Sequence, residues 1–385
     1  MKNHSLKFQT LLFAAIRTVF NTAYRMVYPF LSVFSRGLGV DISALSQALA
    51  NRSLIGALGP FLAAIADRRG RKTGMVFGMG LFIIGVGVMV FWPSYPAFII
   101  MLILTALGKY GFDPSMQAYL GDKVPYQNRG KNLAITEMGW SFSFLLGIPL
   151  ASFLIVRLGW RSPFVALVLL GTIAGGVLIW AIPNDTVSKK ERANIWHNFG
   201  KVFRYPPALA GLLVGLTAST ANETINLVFG VWMENAFELK IIALGGTAAV
   251  IGLAELGGEA LVGGIVDRLG KARAVNIGLL LNCGVALVFP LLGRSAAGAI
   301  IGLFLFYITF EFTLVSIIPM MTEIVPEARA TLMAFNVAAL SLGRAAGALI
   351  ALPLYSWGIA ASAGATVVFN LIAILALRRV QKELG

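Results

Sequence analysis

Long uncharged apolar stretches recur along this chain, and they restrict its fold more than any other feature. "MVFGMGLFIIGVGVMVF" at 75–91 is one of them. A helix needs about 20 apolar residues to cross the hydrocarbon core of a bilayer. Runs of that length, bounded by polar breaks, fall near 8–33, 44–66, 74–92, 97–120, 132–156, 162–182, 208–233, 244–266, 274–292, 299–322, 332–355 and 361–377. The chain is 58% hydrophobic and only 12% charged, against about 25% charged in soluble domains. A water-soluble fold of 385 residues would need more polar surface. The strand–helix alternation and long polar loops of a soluble α/β enzyme are also missing. The sequence therefore predicts an all-α integral membrane protein with twelve spans.

The first run resembles a signal peptide, basic "MKNHSLK" followed by "TLLFAAI". Arg17 interrupts the apolar region and no small-residue cleavage site follows, so it is read as a retained span. Orientation follows from the basic loops. With the N-terminus inside, cytoplasmic segments hold 21 Lys and Arg and external loops hold 5 (Arg36, Arg157, Arg161, Lys240, Arg294). Both termini are expected in the cytoplasm, in a cell (inner or plasma) membrane. The formal charge of +14 follows from this topology and gives no reason to expect nucleic acid as a partner. The single cysteine, Cys283, sits in an apolar helix as a small hydrophobe.

The most polar continuous stretch, "PNDTVSKKERANIWHNFGKVFRYPP" at 183–207, follows the sixth span and divides the chain nearly in half. Residues 189–204 are expected to form an amphipathic helix on the inner membrane surface, with Ile195, Trp196, Phe199 and Phe203 on one side. The predicted organisation is a bundle over 1–182, a linker over 183–207 and a second bundle over 208–385. Internal repetition supports it. "ADRRGRK" at 66–72 recurs as "VDRLGKA" at 266–272, and "GDKVPYQNRG" at 121–130 returns as "TEIVPEARA" at 322–330. Both pairs fall on cytoplasmic loops, after spans two and eight and after spans four and ten.

Over its whole length the sequence resembles a twelve-helix transporter of the major facilitator superfamily, of the drug:proton antiporter type. The most specific element is the loop motif Gly-x-x-x-Asp-Arg-x-Gly-Arg-Lys, matched by Asp67, Arg68, Gly70, Arg71 and Lys72. Ala63 replaces the motif's first glycine, while Gly263 keeps it in the second copy, beside Asp267, Arg268 and Gly270. The resemblance implies two six-helix bundles related by a pseudo-twofold axis along the membrane normal. It also implies secondary active transport by alternating access.

The loop charges anchor a tight cytoplasmic turn by the positive-inside rule. That does not account for Asp67, a carboxylate at the end of an apolar helix. Gly70 can supply unusual backbone angles, and Arg68 and Arg71 can reach Asp122 at the inner end of span four. Asp67 is placed to meet the positive N-terminal end of a facing helix. In the superfamily this loop latches the two halves together on the cytoplasmic side, and the resemblance implies a gate here.

Eleven ionisable residues fall within predicted spans: Arg17, Arg25, Arg52, Lys109, Asp113, Glu137, Glu223, Glu255, Glu259, Glu311 and Arg344. Each costs roughly 2.5–3.5 kcal/mol at a helix centre on insertion scales, so such groups face a polar cavity or pair internally. Glu137 lies near a predicted inner end and is expected to be interfacial. The first half carries four cations against two anions, and the second four anions against one cation. Arg17, Asn21 and Arg25 share one stripe of span one, and Asn222, Glu223 and Asn226 cluster on span seven.

Three readings of these charges stand side by side. Lys109 can pair with Asp113 at i, i+4, and Arg344 with Glu255 or Glu259, as structural elements. Arg17, Asn21, Arg25, Arg52, Lys109, Asp113, Asn222 and Asn226 can contact substrate, the arginines suiting an anionic group. Glu223, Glu311, Glu259 or Glu255 can carry a coupling proton, since a carboxylate buried in one state and solvated in another changes its proton affinity.

Span five carries "LLGIPLASF", so the Gly-Pro dipeptide often seen there in the superfamily's antiporters is split by Ile148. Span four lacks the arginine of many drug exporters, whose position falls near Leu102. The first reading is proton-coupled export of amphiphilic or drug-like small molecules by a monomer in the lipid bilayer, with protons as the coupling partner. Uptake or flipping of an anionic solute or lipid is the alternative, and an intramembrane enzyme a remote one. The two histidines, His4 and His197, are both cytoplasmic, no metal-ligand cluster is present, and no Gly-x-x-x-x-Gly-Lys-Ser/Thr loop occurs. No cofactor and no metal are expected.

Overall fold

A computed structural model describes residues 5–59, 70–183 and 195–384, which fold as helices joined by short turns. Among the described residues, nine helices are long and apolar enough to cross a membrane, beginning with Arg71–Phe91 and ending with Ile359–Glu383. The remaining three predicted spans are shorter or interrupted. The second, Ile42–Ala57, runs on toward residues outside the described range. The first is broken into Leu6–Arg25 and Leu31–Leu38, and the seventh into Pro206–Asn226 and Phe229–Phe237.

The two breaks sit at equivalent places. The long helices end at Arg25 and Asn226, 201 positions apart, the same spacing as the loop repeats. Pro29 lies in the first break and removes a backbone donor there. No proline stands in the second, where the amide of Val228 closes a tighter turn onto Ile225. Helix starts repeat as well. Ser94 caps Tyr95–Lys123 through the Ala97 amide, and Ser295 caps Ala296–Ile324 through the Gly298 amide.

Two compact units result, one of residues 1–48, 61–190 and 240–252, the other of residues 49–60, 191–239 and 253–385. In the first, Arg71–Phe91 packs on Tyr95–Lys123 with close backbone approach where Gly78 meets Gly108. A Cβ on Gly78 would stand 2.5 Å from the Gly108 carbonyl oxygen. Phe13, Phe20, Phe82 and Phe112 fill the interior. Span five begins at Tyr126, changes to a π-turn at Ser143–Gly147 and continues as Ile148–Leu158. Pro149, which has no N–H, sits just past the π-turn, where the ordinary ladder cannot continue. Segment 240–252 packs closely on this span, a Cβ on Gly252 falling 2.7 Å from the Leu145 amide.

In the second unit, Pro206–Asn226 packs against Arg329–Tyr355 and Ile359–Leu384, while Lys271–Leu292 lies on Ala296–Ile324. The linker forms a helix at Ile195–Phe203, with its first part outside the described residues. Phe199 and Phe203 meet Phe335 edge-on at 4.6 and 5.0 Å, Val202 is fully buried, and Lys201 pairs with Glu327 at 2.7 Å, while Phe203 stays half-exposed.

Candidate functional site

The two repeated loops place their charges alike. Gly70 has φ 96° and Gly270 φ 84°, backbone open to glycine and strained for other residues. The next residue in each copy, Arg71 or Lys271, turns to the acid that precedes Val-Pro. Arg71 Nε lies 3.4 Å from Asp122 Oδ2, and Lys271 Nζ pairs with Glu323. Arg129 donates to the Val124 carbonyl (3.0 Å) and Arg329 to the Thr322 carbonyl (2.8 Å), so both close the last turn of the preceding span. The ion pairs are partly exposed and each contributes at most about 1 kcal/mol. The backbone of the glycines shapes these turns more than the charges do. Asp67 and Arg68 lie outside the described residues, as does the side chain of Asp267; Arg268 is exposed.

The first unit gathers four ionisable side chains into one network. Arg17 Nε stands 3.2 Å from Asp113 Oδ1, and its Nη1 stands 2.7 Å from Glu137 Oε1 and 2.9 Å from the Thr136 carbonyl. Lys109 Nζ pairs with Asp113 Oδ2 at 2.8 Å and donates to Asn21 Oδ1 at 2.7 Å. Two cations face two carboxylates, so the network is neutral as a whole. Arg17 is buried, its side chain 6% exposed, while that of Glu137 is 47% exposed. The cluster thus has a dry end and a wettable end.

The helix of Glu137 starts at Tyr126 and takes in the basic stretch before the apolar run, whose membrane-length part begins at Lys131. Glu137, half-exposed, reaches Arg17 from it. Arg25 is held by other groups. Its guanidinium lies 4.1 Å from the Trp140 ring centroid and 3.5 Å from that of Phe144, and Nη1 donates to the Trp140 carbonyl at 3.0 Å. The two aromatic faces attract the cation, and the carbonyl fixes its orientation. Arg52 is almost fully buried on the second span. An apolar cavity of about 160 Å³ between the first, fifth and sixth spans is lined by Thr18, Thr22, Leu146, Leu150, Leu154 and Leu167. It offers no convergent charge to orient a polar solute.

The second unit buries its polar groups more completely. Glu223 is 1% exposed, and Asn222, Asn226, Glu255 and Glu311 are buried with it. Tyr307 donates its phenol to Asn226 Oδ1 at 2.6 Å, and Asn226 Nδ2 donates to Glu223 Oε2 at 3.0 Å. Gly347 on the eleventh span leaves room for the Glu223 stem, since a Cβ there would stand 2.5 Å from Glu223 Cβ. Asn21 and Asn222 are 201 positions apart, so each unit holds an asparagine at the same step of its leading span. On the neighbouring spans, Glu259 and Arg344 are less enclosed than Glu223.

Sequence reasoning missed Tyr307 and Trp140. Both lie in apolar, aromatic-rich runs, where neither spacing nor charge marks them. Their roles come from neighbours on other spans.

The profile of the Major Facilitator Superfamily matches residues 13–348. The uncharacterized MFS-type transporter YceJ of Bacillus subtilis (strain 168) is 26% identical, over 89% of this chain and 88% of its own length. The inner membrane transport protein YdhP of Escherichia coli (strain K12) is 26% identical, over 83% of this chain and 81% of its own. A crystal structure of a bacterial homologue of the human lysosomal transporter Spinster, inward-facing and unoccupied, superposes with a TM-score of 0.79 at 16% identity. That match covers 98% of each chain. The split spans one and seven, the repeated loops and these matches converge: the chain belongs to the major facilitator superfamily, and it is a membrane transporter working by alternating access, not an enzyme.

Proposed function

We propose that this transporter exports an amphiphilic, drug-like small molecule in exchange for protons, acting as a monomer in the inner membrane with both ends in the cytoplasm. The halves over 1–182 and 208–385 alternate in access, and the Asp67, Arg68, Gly70, Arg71 and Asp122 loop, with its repeat at Asp267, Arg268 and Gly270, gates the cytoplasmic side. The observation that carries proton coupling is the burial of Glu223 in the last turn of Pro206–Asn226, at the break of span seven, with Asn226 donating to it. A carboxylate buried in one state and solvated in another changes its proton affinity between them, which links its occupancy to a change of solvation. Glu311 and then Glu259 are the next carriers in order.

The pairing of Arg17 and Lys109 with Asp113 and Glu137 supports a neutral or cationic solute over an anionic one. Two of the four first-half cations are already neutralised by their own carboxylates.

Reconstituted protein tests both points. A pH-sensitive dye inside proteoliposomes reads proton movement as cationic and anionic amphiphiles are added in turn; movement with cationic or neutral compounds is expected. Glu223→Gln abolishes gradient-driven transport and keeps counterflow exchange. Movement with anionic compounds alone refutes the solute class, and driven transport in Glu223→Gln refutes Glu223 as carrier.

A further inference from the structure

Spans five and six run back from the tight turn at Gly159, and the apolar cavity of about 160 Å³ lies between them. Leu146, Leu150 and Leu154 form one wall, Pro163, Ala166 and Leu170 the other, and Thr18, Val19 and Thr22 of span one the floor. The cavity is a groove open on one side, since Leu146 and Leu150 are 60% and 50% exposed while Thr22 is buried. Both walls belong to membrane-length helices, so the medium at the opening is the hydrocarbon of the bilayer. Arg17 and Asn21 turn from another side of span one into the ion-pair network. The floor hydroxyls donate to their own helix, Thr18 to the Ala14 carbonyl (2.9 Å) and Thr22 to the Thr18 carbonyl (2.7 Å). Neither has a proton left for a polar guest.

Length and charge point to one kind of occupant. From Leu146 to Leu154 the wall rises roughly 12 Å at 1.5 Å per residue, against about 15 Å for the hydrocarbon of one leaflet. The deep end is closed at the π-turn, where Gly147 meets Thr22 with no room for a Cβ. At the loop end stand Arg157, one turn beyond Leu154, and Arg161, two residues before Pro163, both exposed. Arg157 lies over Phe153 (5.7 Å) and Arg161 over Trp160 (5.4 Å), and neither forms an ion pair among the described residues. No acid occurs between Glu137 and Asp185 to balance them.

We propose that this groove binds one acyl chain of an anionic phospholipid, whose phosphate lies against Arg157 and Arg161. The planar guanidinium fork suits phosphate oxygens. The chain fills space that spans one, five and six leave open among themselves. Hydrocarbon gains little by leaving other hydrocarbon, so packing retains the chain and charge retains the headgroup.

A phosphatidylglycerol with a photoreactive diazirine midway along one chain tests this in nanodiscs holding the whole transporter, with labelled peptides mapped by mass spectrometry. Labelling is expected at Thr18, Val19 and Thr22, which lipid reaches only through the groove. The exposed Leu169 and Ile173 report ordinary surface lipid. Ala166→Trp fills the groove and removes the floor labelling, while Leu169 and Ile173 keep theirs; Ala166→Leu serves if the larger side chain disrupts folding. Arg157→Gln combined with Arg161→Gln lowers floor labelling roughly tenfold, the effect of losing two cations at the membrane surface. An unlabelled floor in the wild type, a floor still labelled in the filled variants, or equal labelling in the double glutamine variant overturns the proposal. Floor labelling by a photoreactive single-chain cationic amphiphile in preference to the phospholipid gives the groove to the transported solute and overturns it as well.

Discussion

Arg17→Gln separates structure from substrate binding at the position where the first-half charges meet. In the wild type, Arg17 and Lys109 balance Asp113 and Glu137. The variant leaves one cation against two carboxylates. The two ion pairs of Arg17 differ in strength. Glu137 is 47% exposed, and its pair with Arg17 is worth about 1 kcal/mol or less. Asp113 is 17% exposed beside an arginine at 6%, so breaking that pair approaches the buried case, about 3–5 kcal/mol. Lys109 stays on Asp113 and softens the effect, which places the expected cost near 3 kcal/mol.

Unfolding in mixed micelles with increasing denaturing detergent measures this cost. Asp113→Asn in the Arg17→Gln background should cost much less than alone, giving a coupling energy of at least about 2 kcal/mol, while Glu137→Gln should couple by under about 1 kcal/mol. Wild-type stability in Arg17→Gln, accompanied by weakened binding of an anionic solute, would refute the structural reading and return Arg17 to the substrate.

Gly70→Val and Gly270→Val force a side chain into backbone at φ 96° and 84° and should each cost about 1–3 kcal/mol, while Gly80→Ala, whose Cβ meets nothing within 4 Å, should be neutral or stabilising by up to about 1 kcal/mol. Thermal unfolding of the purified variants checks the order, and transport abolished in Gly70→Val at retained fold supports the gate. The hydrogen bond from Lys201 holds the Glu327 carboxyl below the usual carboxylate range. Its contribution to docking the linker helix is present above the unfolded value and lost as pH falls through the folded one, so the protection of the amides over 195–203, relative to their intrinsic exchange at the same pH, should fall below about pH 4. The same exchange should quicken in about 1 M salt, where screening acts within about 3 Å.

The spans were legible in the sequence because they depend on composition over whole segments. Twenty apolar residues cannot be satisfied in water. The repeat was legible for a related reason. Gly70 and Gly270 answer a backbone demand that almost no other residue meets. Such a local constraint leaves its mark in one dimension. The Lys109–Asp113 pair, one helical turn apart, was readable in the same way and is present at 2.8 Å.

Partnership between spans leaves no such mark. Nothing in "FLFYITFEF" distinguishes Tyr307 from its aromatic neighbours until span seven brings Asn226 within 2.6 Å. Nothing in the sequence pairs Glu137 with Arg17, 120 residues away, until the two helices meet. Four cations in the first half suggest spare positive charge, yet Arg17 and Lys109 are engaged by carboxylates from spans four and five. The contact of the linker helix with Phe335, more than a hundred residues away, is likewise invisible until the chain folds. The sequence by itself determined where the chain crosses the membrane and where it must turn, since hydrophobicity and backbone strain act on consecutive residues. Only the tertiary structure decided which charges neutralise one another, since Coulomb attraction and hydrogen bonding act across the few ångströms between spans.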